Sequence, residues 1–223
     1  MEVEEKQFII TEKWLEDIRA CEAGLRAFKK HFPNGGEALE VLKRCEELDY
    51  REFGEWLVDF LPLIYPPLVL NNLIGSLFYP NDVHIKGDIS TQGLIYIKGS
   101  LEVDGKLTAN RNGRVSTDCV NADEIDISGD ACIYPNIKAN SISMMGFTTI
   151  GGEVTADNIN LSGHAEIKRN VIAKVINLKS GFIGGDVDAD EIINAGWIKG
   201  DVNTIKIQNI NGGRVDGKIT YKC

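Results

Sequence analysis

The chain has 223 residues, enough for one or two domains with a real core. It is 43% hydrophobic and 26% charged, with a formal net charge of −9. That charge divides as −6 over residues 1–80 and −3 over the rest, which argues against a phosphate-binding surface and hence a nucleic-acid partner. No stretch approaches the ~20 apolar residues of a membrane span. The acidic start, with Glu2, Glu4 and Glu5, is unlike a secretory or transit leader, so a cytoplasmic protein is expected. Cys21, Cys45, Cys119, Cys132 and Cys223 are an odd, dispersed set without a CxxC pair, which predicts reduced thiols rather than a disulfide framework or a zinc site.

Residues 1–62 read as a helical domain. Trp14, Ile18, Cys21, Leu25, Phe28 and Phe32 recur at alternating steps of four and three, which predicts one helix over 14–32 with all six on one face. Thr11 is its expected N-cap, and Pro33, Asn34, Gly35 and Gly36 its stop. A second helix is expected over 37–48, with Leu39, Leu42 and Cys45 inward. A third is expected over 50–60, presenting Phe53, Trp56, Leu57 and Phe60. Residues 63–82 carry Pro66, Pro67 and Pro80 among apolar side chains. They are too greasy for a flexible linker and read as a connector that caps the region from residue 83 onward.

From residue 83 to 223 the pattern is a repeat. Rows begin at Ile85, Val103, Ser116, Ile133, Ile150, Ile167, Ile183, Ile198 and Val215, at intervals of 18, 13, 17, 17, 17, 16, 15 and 17. Four positions into each row stands an apolar residue such as Val120, Ile137, Val154, Val171, Val187 or Val202. Two further on come Ala122, Ala139, Ala156, Ala173 and Ala189, and nine from the row start come Ile125, Ile142, Ile159, Ile176, Ile192 and Ile207. Glycines recur near offsets two and thirteen. Side chains alternate faces along a strand, so these offsets describe short strands separated by corners and stacked in register. The expected fold is mainly β, a single-stranded parallel β-helix of about 17 residues per coil, preceded by the helical domain. The second row is anomalous: it has 13 residues, with Asn112 and Arg114 where apolar residues belong, so either a corner is shortened or the register shifts there.

The stretch 83–109 and the Ile-x-Gly-x-Val motifs at Ile150/Gly152/Val154, Ile183/Gly185/Val187 and Ile198/Gly200/Val202 resemble the bactofilins. That resemblance implies a right-handed coil and a polymer-forming cytoskeletal role. Bactofilin cores have short tails and two free ends, whereas here a helical domain precedes the first coil. Residues 14–28 also resemble a helical module found at the start of assorted bacterial and phage proteins.

Chemistry is sparse. A hexapeptide acyltransferase would space its coils in sixes and need a catalytic histidine, but the offsets do not fit and His31, His84 and His164 are far apart in sequence. The outward acids Asp123, Glu124, Asp157, Asp190 and Glu191 could line one edge as in a carbohydrate enzyme, but Asn140 and Lys174 interrupt them, and Asp and Asn suit a solvated corner. No catalytic, cofactor or metal residue is assigned, and no cofactor is expected.

The reading is a non-enzymatic scaffold acting through self-association or recruitment of a protein partner. The alternative is a phage-type protein that blocks a host complex through its acidic helical module or solenoid face. Candidate interaction residues are Trp197, expected to point outward beside Phe182 of the previous row, and Val215, Ile219 and Tyr221 of the last row. With no cap evident after Tyr221, the C-terminal end is the expected homotypic contact.

Overall fold

The computed structural model describes residues 7–222. Four helices come first: α1 (Glu12–Asp17), α2 (Glu22–His31), α3 (Ala38–Glu47) and α4 (Arg51–Phe60). Thr11 caps α1, its side chain accepting a hydrogen bond from the Trp14 N–H. The helix predicted over 14–32 is broken in two. Its first half closes at Ile18, Arg19 turns to φ 62°, and the Ala20 N–H reaches back to the Leu15 carbonyl. This is the hydrogen-bond pattern that ends a helix with a left-handed residue. Cys21 then starts α2, its sulfur accepting from the Gly24 N–H. The break rotates the stripe: Leu15, Gly24 and Phe28 are buried and Cys21 is exposed. In α3, Ala38, Val41, Leu42 and Cys45 are inward and Leu39 is half-buried; in α4, Leu57 and Val58 are inward and Phe60 is exposed.

The rest is a parallel solenoid whose coils cross two sheets. One sheet has nine short strands, running from Leu77–Tyr79 through Leu94–Ile97, Arg114–Ser116 and a series of two-residue strands to Arg214–Val215. The other has twelve strands: ten follow one path from Leu68–Leu70 to Ile219–Tyr221, and Leu73–Ile74 and Ile89–Thr91 pair beside it. The two strands expected per coil at offsets four to six and nine to eleven are one long bent strand, such as Asn136–Gly146 or Val154–Gly163. Between its two halves a pair of successive residues stays out of the core, as at Asn140 and Ser141, and that pair makes the corner.

Register matches the reading from Ile133 onward, where Ile137, Ala139 and Ile142 stack on Val154, Ala156 and Ile159, which stack on Val171, Ala173 and Ile176. The earlier rows are corrected. Val103 stacks on Ile85 and under Ala122, so both belong to the alanine column rather than the row start. The true row starts are Leu77, Ile95 and Val115, with Ser116 facing away from the fully buried Val115. Asn112 and Arg114 occupy no core position, and the short row disappears. The irregularity has a physical cause: Ile95 to Val115 spans 20 residues, and a register shift opposite Ala122 and Glu124 adds a bulge at Asp104–Gly105. The 63–82 segment also supplies strands Leu68–Leu70, Leu73–Ile74 and Leu77–Tyr79, in register with the next coil.

Glycine is demanded where coils touch. A Cβ on Gly217 would lie 2.3 Å from the Gly200 carbonyl oxygen, and one on Gly200 would lie 2.4 Å from that of Gly185. Gly87 and Gly105, placed in that column by the sequence, instead stack on each other at the bulge corner. The core is a file of Ile, Val, Leu and Ala side chains that runs into the buried residues of the helices. Near the C-terminal end its last inward column turns polar: Leu161 and Leu178 are followed by Asn194 and Asn209. Asn194 is fully buried and hydrogen-bonds Asn209, the Arg214 carbonyl and the Gly196 N–H.

Candidate interaction surface

The two ends of the solenoid differ in what covers them. At the N-terminal end, α3 and α4 pack on the strand Leu77–Tyr79, all three of whose residues are buried. The Phe78 N–H donates to Glu46 Oε1 at 2.8 Å, and burial holds the Glu46 carboxyl above its ordinary range. The Phe78 ring fills the space left by the missing side chain of Gly54. Lys98 Nζ donates to the Asp59 and Leu61 carbonyls at 2.8 and 3.2 Å, satisfying the end of α4. The Tyr96 hydroxyl donates to Asp59 at 2.9 Å, and burial together with that hydrogen bond pushes its pKa up to about 12. The covering is one-sided, since Leu68 and Leu70 are half-buried and Val69 and Ile74 exposed.

At the other end, burial falls away. Ile198 and Val202 are 0% and 1% exposed, but Ile207, Val215 and Ile219 are only half-buried and Tyr221 is 61% exposed. The strands Arg214–Val215 and Ile219–Tyr221 are each the last of their sheet, and among the described residues no element lies beyond them. The last coil is held by Lys222, whose ammonium bridges Asp188 at 2.6 Å and Asp190 at 3.1 Å. Lys222, then Asn203, hold the Asp188 carboxyl below its usual range. Cys223 lies outside the described residues.

The predicted surface residues are therefore in two groups. Val215, Ile219 and Tyr221 make the open coil. Trp197 is outward, as the alternation required, and its ring packs tilted against that of Phe182, centroids 4.8 Å apart. It is also tied down: its indole N–H donates to Asp216 at 3.0 Å and Arg214 lies over its ring. Trp197 thus buttresses the edge of the last coils.

Most of the outward acids have partners along the corner. Asn140 donates to Asp123, Lys174 pairs with Asp157 at 2.8 Å, and Lys106 sits by Glu124 and Asp126. The residues that interrupt the acidic column are its partners. His164 is an exposed corner residue stacked on Phe147, and His31 ends α2 with the basic residues Lys29 and Lys30. His84 is placed elsewhere, 2.8 Å from Asp104 of the next coil. Among the described residues no helix is long and apolar enough to cross a membrane.

Comparison with known proteins bears on the solenoid. No curated protein and no solved structure matches the chain. Residues 77–182 match the model of the bactofilin family, described as polymer-forming cytoskeletal. The match begins at Leu77, the first true row start, and ends at Phe182. Over that span the chain is bactofilin-like, and the same stacking in register continues beyond it to Tyr221.

Proposed function

We propose that the chain is a non-enzymatic scaffold that self-associates through its C-terminal coil, while the helices cover the opposite end. One observation carries this reading: the inward column goes from fully buried at Ile198 and Val202 to half-exposed at Val215 and Ile219, on strands whose outer backbone edge has no neighbour among the described residues. Such an edge is a template for strand pairing. A second copy of the same coil is the occupant that suits it, because two identical ends meet about a two-fold axis and complement each other. The polymer-forming family supports self-association as the route by which the edge is covered. The bactofilin match supports the scaffold reading, and nothing in it supports the host-blocking alternative.

The test is light scattering on three forms of the full chain: wild type, the double variant Val215→Asp/Ile219→Asp, and Ile74→Asp on the other end. The wild type and the Ile74 variant should assemble alike, and the double variant should be monomeric with an unchanged circular dichroism spectrum. A monomeric wild type, undiminished assembly of the double variant, or dissociation by Ile74→Asp alone would overturn the assignment.

A further inference from the structure

The scaffold reading leaves one side-chain cluster unused. His84, Glu102 and Asp104 meet on the outer face of the early coils, their ligand atoms all within 4.8 Å of one another. Among the described residues this is the one group of three His, Cys, Asp or Glu side chains that close.

Stacking and the bulge together build it. The strands Val83–Ile85 and Leu101–Ala109 pair in parallel with His84 beside Glu102, so two outward side chains of successive coils stand one ladder step apart. Asp104 is the next outward residue on the same strand. The register shift just after it is the kind of irregularity that re-aims a side chain, and Asp104 Oδ1 lies 2.8 Å from His84 Nε2. Further along, the same columns hold Asn121 and Asp123, then Lys138 and Asn140, and the one acid among them, Asp123, accepts from the Asn140 amide. Glu102 has no ion pair among the described residues. A cleft of about 310 Å³, lined by Glu102, Asp104, Asn121, Asp123, Lys138 and Asn140, opens beside the cluster.

The donor set is one imidazole nitrogen and two carboxylates. All-oxygen sites suit calcium or magnesium and thiolates suit copper(I), whereas this mixture suits zinc and its first-row neighbours. Ligands ~2.0–2.2 Å from a tetrahedral ion stand about 3.3–3.6 Å apart. The His84–Asp104 pair needs to open by less than about 1 Å to reach that spacing. Two carboxylates also balance a divalent charge. The geometry points to a zinc-class site formed by His84 Nε2 and one oxygen each of Glu102 and Asp104, with its fourth position facing the cleft. The ion would take the place of the hydrogen bond between His84 and Asp104. It would staple two successive coils where the repeat is least regular. This inference stands apart from the assembly reading.

The full chain, stripped with a chelator, would be titrated with zinc by calorimetry and with cobalt(II) by absorbance. Expected are one equivalent of zinc, a cobalt spectrum without a thiolate charge-transfer band, and a melting temperature raised by zinc. His84→Gln and Asp104→Asn should each weaken binding at least about 10- to 100-fold with the fold unchanged. Asp123→Asn, one coil further on, should bind as wild type. No stoichiometric binding at micromolar zinc, wild-type affinity in His84→Gln, or a thiolate band that places the metal on a cysteine would each overturn the site.

Discussion

The helices and the solenoid use equally apolar sequence in different ways. In the helical region each stripe is seen once, and one backbone turn at Arg19 is enough to rotate half of it, exposing Cys21 and burying Leu15. In the solenoid each position is repeated by its copy in the coils above and below, so the Ile142, Ile159 and Ile176 column is specified several times over. Repetition makes register robust, and it also makes each inward residue part of the packing of two other coils.

That difference can be tested by placing the same insult in both regions. Ile159→Asp buries a charge in a column that is 1% exposed and should cost more than about 4 kcal/mol, read as loss of cooperative thermal unfolding. Leu25→Asp in half-buried α2 should cost about 1 kcal/mol and leave the solenoid signal intact. If Leu25→Asp unfolds the coils as well, the two regions are one cooperative unit.

A smaller effect is expected at their junction. Gly54→Leu drives a side chain into the Phe78 ring, whose atoms lie 2.7–2.9 Å from the position of a Cβ there. It should cost about 1–3 kcal/mol. Hydrogen exchange should rise in α3 and α4 and stay unchanged in the coils from Ile133 to Ile198.

The smallest change concerns Glu46. Burial raises its folded pKa, so its contribution to stability is fully present below the unfolded carboxylate range and is lost as pH rises through the folded value. Glu46→Gln keeps an acceptor for the Phe78 N–H without a buried charge. The variant should therefore be the more stable form at pH 7. The gap should close as pH falls to about 4, read from denaturant midpoints at the two values.

Much of this fold is legible in the residues alone. The Ile, Val and Ala columns from Ile133 onward, the outward Trp197 on Phe182 and the Thr11 cap all follow from periodicity and capping chemistry. The early register is not legible, because the 20-residue coil from Ile95 and the bulge at Gly105 let Ile85 and Val103 pass for row starts. The His84–Asp104 contact needs two things: the stacking of Ile85 on Val103, which the repeat already implies, and the bulge beside Asp104, which it does not. Lys222 on Asp188 and Asp190 joins residues from different coils and leaves no short-range signal.

Local sequence by itself determined that this chain coils, about how many residues each coil takes, and which side chains face inward from Ile133 onward. These properties are set by strand alternation and by glycines at corners, and both act over a few residues. The tertiary structure alone decided where the first coil starts and that α3 and α4 seat on Leu77–Tyr79. Those outcomes depend on what lies above and below each strand, which in a solenoid is always a residue from another coil.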